Sequence, residues 1–432
     1  MKLSNISLAL AALLAASAAH AVPAASRIAI TAGASASYNN MATALTTLCA
    51  TAGGTPTTLG TGNFRSIVCA NSTVTEGAAG TYKSKADTAF INFAGTNFAE
   101  VRINTEGSFS AVVILNPSIN AAPLVRDPEA AANSNVYPTG SVIVGGLLDL
   151  EATGFPDATI GANQLFTTTP VGVGQVFGLA ASNLLYTKLF DRQKAAGLLP
   201  ASCAVTDIAL PYCMPSVSSA QMASIMADNE FNAAYSKGVG FLTGNAADDG
   251  LELRYARRVD NSGTQAVAQN YFLGLPCAKA STSVIAEPTT DDEAGGLKDS
   301  LKSSIRVMAA PGTGDVRNEL IKADKYVIGV VSGENVQNQT WKWVRVNGAA
   351  MPGIGEDASP TGNTNTANAK SGLYNFVYES VYMGGSAAGD AFWATVAAEL
   401  NALPALPGLI NSADLGAGFS KSGLACQAWV SN

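Results

Sequence analysis

The chain has 432 residues, only 13% of them charged, with a formal net charge of −7 and a single histidine. That length suits two domains or one large two-lobed unit. An acidic chain without a basic run argues against a nucleic-acid partner, and overall charge would not draw in an anion, so local groups would have to hold one.

Met1 to Ala21 read as a secretory signal: Lys2 gives a positive start, Leu8 to Ala18 an apolar core, and Ala19-His20-Ala21 an A-x-A cleavage site. The apolar run is too short to span a bilayer, and no cysteine stands at the cleavage site to carry a lipid anchor. The mature chain would begin near Val22, in the periplasm or outside the cell, and losing the Lys2 charge would take −7 to −8. His20 leaves with the signal, so the mature chain would hold no imidazole base, no histidine metal ligand and no Ser-His-Asp triad. Six cysteines remain: Cys49, Cys69, Cys203, Cys213, Cys277 and Cys426. An even number in an exported chain points to disulfides, and with no C-x-x-C pair a zinc site is a poor alternative. Closeness in sequence favours Cys49–Cys69 and Cys203–Cys213, leaving Cys277–Cys426, out of about 15 possible pairings.

In chain order, Arg27 to Thr31 read as a short buried strand, Ala32 to Ser37 as a turn of small residues, and Met41, Leu45 and Leu48 as the apolar face of a helix. Ser37 then occupies a helix start, where a plain N-cap is the simplest role. Thr51 to Thr61, rich in Gly and Thr, reads as a loop, and Ala89 to Ala94 as a strand candidate. Gly107-Ser108 precedes the apolar run Ala111 to Leu115, another helix start. Ser141 to Leu150 is a mostly apolar strand with Asp149 at its end; ligands bind beyond the carboxyl ends of parallel buried strands, although Asp149 could equally cap the next segment. Pro170 to Leu185 is a buried apolar segment, and Ser218 with Gln221 fits a capping box.

The most informative stretch comes next. Leu251 to Ala256 alternate as a strand, Arg258-Val259-Asp260-Asn261-Ser262-Gly263-Thr264 form a turn, and Gln265 to Leu273 read as a helix stopped by Gly274 and Pro276. A cation, a carboxylate, two hydroxyls and a glycine thus crowd at a helix amino terminus, which suits an anion. The plainer reading is a capped helix with an Arg258–Asp260 pair. Glu287 to Gly296 form an acidic loop, Tyr326 to Val331 a strand, Pro360 to Ser371 a long polar loop, Tyr374 to Met383 a strand, and Phe392, Val396, Leu400 and Leu403 mark a last helix that also carries Trp393. Strands alternating with helices indicate an α/β fold.

Four of these motifs in this order resemble the periplasmic phosphate-binding proteins of Pst-type ABC transporters, in the type 2 periplasmic-binding-protein superfamily. They are Gly33-Ala34-Ser35-Ala36-Ser37, Gly107-Ser108, Gly146-Leu147-Leu148-Asp149, and the R-x-D-x-S-G-T run from Arg258 to Thr264. The resemblance covers most of the mature chain. It implies a two-lobed fold with a ligand cleft between the lobes, with lobe one at 22–172 and 373–432 and lobe two at 173–372. It implies phosphate, or a similar oxyanion, held by Ser37, Ser108, Asp149, Arg258, Ser262, Gly263 and Thr264, with Asp260 pairing Arg258 to fix its fork. It also implies an inner-membrane ABC permease as partner, no cofactor and no enzymatic activity. If Cys277–Cys426 forms, it would link the lobes. Two departures are visible: Leu148 stands where the family has serine, and Glu106 adds a negative charge beside Ser108. They keep open a secreted surface or matrix protein on the same fold with a degenerate cleft. A phosphoesterase is the third reading, disfavoured by the missing histidine.

Overall fold

The computed structural model describes residues 28–61, 64–74, 89–94, 98–105, 107–116, 141–155, 167–229, 232–277, 283–293, 296–352, 367–403, 408–411 and 425–426. The expected signal segment, Val22, Arg27 and Glu106 lie outside these residues, as do 294–295 of the acidic loop and 360–366 of the polar loop.

The described residues form 14 strands and 10 α-helices. β1 (Ile28–Gly33) leads into α1 (Tyr38–Thr51), the hairpin of β2 (Thr55–Thr61) and β3 (Phe64–Ala70), β4 (Glu100–Asn104), α2 (Phe109–Leu115) and β5 (Val142–Leu148). The long β6 (Thr169–Ser182) follows, then α3 (Asn183–Ala195), β7 (Ser216–Val217), α4 (Ser219–Met226), α5 (Ala233–Lys237), α6 (Val239–Thr243), β8 (Leu253–Arg258) and α7 (Gly263–Leu273). The chain continues through β9 (Lys298–Lys302), β10 (Ile305–Ala310), α8 (Thr313–Leu320), β11 (Tyr326–Ser332), β12 (Trp341–Val346), α9 (Ala367–Lys370), β13 (Val377–Met383), α10 (Ala387–Ala402) and β14 (Leu409–Asn411).

All the strands join one mixed sheet, ordered β2-β3-β4-β1-β5-β13-β6-β11-β8-β10-β9, with β12 and β14 also on β6 and β7 on β12. It contains two parallel trios, β4-β1-β5 and β10-β8-β11. β6 connects them: its first part pairs with β13 and β14, its last part with β11 and β12. Most of β6 is buried and apolar because helices and strands cover both of its faces, the condition under which a strand loses its alternation. A large apolar core surrounds its second part, and a smaller one lies under α1 and α10, where the Trp393 indole donates to the Val144 carbonyl at 2.7 Å.

Three sequence expectations fail here. Thr55 to Thr61 is a strand, not a loop: its β-branched threonines favour the pleated surface, and it pairs antiparallel with Phe64–Ala70. Ala89 to Ala94 is no regular strand; it makes isolated bridges from Phe90 to Ala70 and from Phe93 to Phe98. Part of the polar loop is a short helix, Ala367–Lys370.

The three disulfides are Cys49–Cys69, Cys203–Cys213 and Cys277–Cys426, as sequence closeness favours, and no described cysteine is free. The first ties the end of α1 to β3. Among the described residues no helix is long and apolar enough to cross a membrane. Three disulfides suit an exported chain.

Candidate functional site

Several of the sequence candidates follow the carboxyl ends of parallel strands, where ligands bind in open α/β sheets. β1 ends in the turn to Ser37, β4 in the turn to Ser108, β5 in Asp149 and β8 in Arg258. The turns after β4 and β8 touch: the Phe109 N–H donates to the Asn261 carbonyl at 3.3 Å. Gly107, at φ +144°, takes a conformation that favours glycine, and a side chain there would meet that same carbonyl at 3.0 Å. Gly263 is required for space. A Cβ on it would fall 2.1 Å from Ser108 Oγ and 2.4 Å from Asp149 Oδ2. The start of α7 therefore seats directly on Ser108 and Asp149, across the two halves of the sheet.

Ser37, Ser108 and Ser262 each stand at the N-cap of a helix, and none caps it. The Ser37 hydroxyl is buried without a partner, as is Thr264 Oγ1 in the first turn of α7 and Asn40 Nδ2 in the first turn of α1. The Ser108 hydroxyl instead exchanges hydrogen bonds with Asp149: it donates to Oδ2 at 3.2 Å and accepts from the Asp149 N–H at 3.2 Å. Asp149 is 1% exposed and its Oδ1 has no partner. Burial pushes its carboxyl up to about 6, against the opposing Ser108 bond and the Arg258 charge.

Arg258 is buried and held by the turn after β10. Its Nε donates to the Ala310 carbonyl at 3.1 Å, Nη1 to Thr313 Oγ1 at 3.0 Å and Nη2 to the Pro311 carbonyl at 2.8 Å. These bonds fix the guanidinium and leave part of its donor set uncommitted. Burial lowers it to about 10, while the charges of Asp149 and Asp315 support the cation.

The expected Arg258–Asp260 pair does not form. Asp260 binds the Arg257 guanidinium instead, its side chain is 52% exposed, and its N–H donates to Glu287 Oε2 at 2.6 Å. The reason is strand parity: neighbours on β8 point to opposite faces, so Arg257 and Arg258 diverge. Arg257 goes to the Ile285 carbonyl and Asp260, and only Arg258 goes toward Asp149. Leu148, where the resembled family has serine, is fully buried in the apolar core.

One residue near the site carried no sequence signal. Glu334 lies just past the end of β11, next to β8 in the parallel trio. Its Oε2 is buried and unpartnered, and the Asn39 side chain hydrogen-bonds the carboxyl. Burial, and then the Asp149 charge, push it up to about 8. Only its position after a parallel strand, shared with Asp149 and Arg258, could have marked it. Among the described residues no group of three or more His, Cys, Asp or Glu gathers to hold a metal.

The arrangement thus offers buried hydroxyls and amides, one immobilised cation and an acceptor carboxylate. No protein-family model matches the chain, and no curated protein matches it either.

Proposed function

We propose that this is an exported solute-binding protein that holds phosphate, or a similar tetrahedral oxyanion, in a cleft between two lobes and serves an ABC-type uptake system. The lobes would be 22–172 with 373–432, and 173–372, crossing over at β6 and again just before β13. The supporting observation is the set of buried, unpartnered hydroxyls of Ser37 and Thr264 at the starts of two long helices. A buried donor without a partner costs about 1–3 kcal/mol, so these atoms are best explained by an occupant. Helix-start N–H groups and the uncommitted edge of Arg258 would complete a shell for an anion.

Asp149 would set selectivity. A carboxylate beside an anion repels it unless the anion carries a proton to donate. Hydrogen phosphate has one and sulfate at neutral pH does not, so sulfate would leave a buried charge unpaired. Hydrogen bonds to charged groups contribute about 1.5–3 kcal/mol each, and a micromolar site needs about 8 kcal/mol, so a few good bonds suffice.

A second reading, a surface or matrix protein with a degenerate cleft, is favoured by the Arg258 bonds to its own turn and by the buried Leu148. A thermal-shift screen with phosphate, arsenate, sulfate and molybdate separates the two. Phosphate at about 100 times its dissociation constant should add about 2.7 kcal/mol; no shift with any oxyanion overturns the binding reading.

A further inference from the structure

Within the parallel trio of the second half, three strand ends face the site. β8 supplies Arg258, the turn after β10 holds the Arg258 guanidinium, and the turn after β11 supplies Glu334. That last turn is set by its own backbone. The Gly333 N–H donates to the Val176 carbonyl at 2.7 Å, and Asn335 closes onto Ser332 through its N–H at 3.1 Å and its side-chain amide at 3.0 Å. Glu334 Oε2 takes no part in this scaffold and remains buried without a partner. The groups around the Glu334 carboxyl are Asn39 from α1, Asp149 from the end of β5 and Arg317 from α8.

The Asp149 charge disfavours ionisation of the Glu334 carboxyl. Asp149 is stabilised as an anion by Ser108 and Arg258, and Glu334 by Asn39 and Arg317. Burial raises both carboxyls, Asp149 to about 6 and Glu334 to about 8, so Glu334 is the one of the two that holds its proton more tightly. A pair of groups pushed apart in this way divides two roles between them.

We infer, resting on the oxyanion reading above, that Glu334 is a second ligand-facing carboxyl, acting as a hydrogen-bond donor to the bound oxyanion beside Asp149 as acceptor. The site's hold on its ligand then depends on a proton carried by the protein. Hydrogen phosphate gives its O–H to Asp149 and accepts the O–H of Glu334. Once Glu334 ionises, a second carboxylate faces the dianion with no proton between them, and binding requires that the proton be taken back from solvent. The selectivity of the site then rests on two carboxyls, one from each half of the sheet.

The test is a calorimetric titration of the full mature chain with inorganic phosphate from about pH 8 to pH 9.5, where the ligand stays almost wholly a dianion. Wild-type affinity should fall by about tenfold per pH unit above about pH 8. Glu334→Gln, which keeps a donor and cannot ionise, should hold its affinity level across the same interval. Independently of any variant, the wild-type heats at pH 9 in two buffers of different ionisation enthalpy should report about one proton taken up per phosphate bound. A level wild-type profile overturns the inference. So does a parallel fall in both proteins, which would assign the loss to Arg258. No phosphate binding at any pH overturns the oxyanion reading and this role with it, whereas binding with parallel profiles overturns Glu334 alone.

Discussion

Among the described residues six serines occupy α-helix N-caps, and they fall into two groups. Away from the site, Ser182, Ser218 and Ser386 accept hydrogen bonds from the N–H groups of Leu185, Gln221 and Gly389, at 3.4, 3.0 and 3.1 Å. Around the site, Ser37, Ser108 and Ser262 occupy the same position and make no such bond. A cap satisfies a donor that the helix geometry leaves orphaned. None of the three serines completes its helix: the Ser37 hydroxyl is buried without a partner, and the Ser108 hydroxyl turns to Asp149 instead. The residue type is the same in both groups; what differs is whether the hydroxyl completes the helix or faces outward from it.

The largest effect that could break this comparison comes from the cation. Arg258→Ala should lower phosphate affinity by at least about 100-fold, about 2.7 kcal/mol, since it removes a charge-assisted contact in a buried site. Calorimetry on a variant whose circular dichroism matches the parent measures it, and retained affinity would show that the guanidinium grips nothing but its own turn.

Gly263→Ala comes next. The added methyl would press on Ser108 Oγ and Asp149 Oδ2, so α7 must move off the β5 end, at a cost of about 1–3 kcal/mol. Melting and phosphate affinity should both decline; an unchanged pair of values would mean that the two halves are not seated as described.

The serines themselves give the sharpest contrast. Ser218→Ala and Ser386→Ala should each cost about 1 kcal/mol of stability and leave phosphate binding alone. Ser37→Ala and Ser262→Ala should leave stability within about 0.5 kcal/mol and weaken binding by about tenfold, the value of one hydrogen bond. Denaturant melts alongside titrations test all four, and capping behaviour at Ser37 or Ser262 would erase the distinction.

The smallest effect is on pH dependence. Asp149 holds its proton more tightly folded, near 6, than its ordinary value of 3.8. The folded state therefore binds more protons between those values, and ligand-free stability falls as pH rises through that window. Asp149→Asn should flatten the stability profile between about pH 4 and pH 6 and relax discrimination against sulfate. A variant that rejects sulfate as well as the parent does would remove Asp149 from that role.

Much of the site was legible as local sequence because small polar residues between an apolar strand and an apolar helix have few other uses. Gly107-Ser108 and the run from Arg258 to Thr264 fall where that pattern puts them. Disulfide partners were legible because two of the three are close in sequence. What local sequence does not encode is orientation. A serine that caps its helix and one that does not read alike. Adjacent arginines on a strand diverge by parity, so Asp260 was paired with Arg258 when its partner is Arg257. Glu334 comes from a turn with no motif, and its environment is made by Asn39 and Asp149, 295 and 185 residues away in sequence. The Thr55–Thr61 strand was hidden because its composition, Gly and Thr, belongs equally to turns.

The Cys277–Cys426 disulfide bears on how any occupant leaves. The amino end of α7 rests on Asp149, and Cys277, just beyond its carboxyl end, is bonded to Cys426. The adjoining Ala425 N–H is held by both oxygens of Glu151, at 2.8 and 2.9 Å. α7 is thus moored at both ends to the same short stretch after β5, once by contact and once by a covalent tether. Parting the contact at Gly263 leaves the tether as a pivot, so escape would be by a door swinging on that edge rather than by two walls drawing apart. Removing this tether alone, with Cys277→Ser and Cys426→Ser together, should shorten the residence time of a bound ion more than it alters the rate of capture.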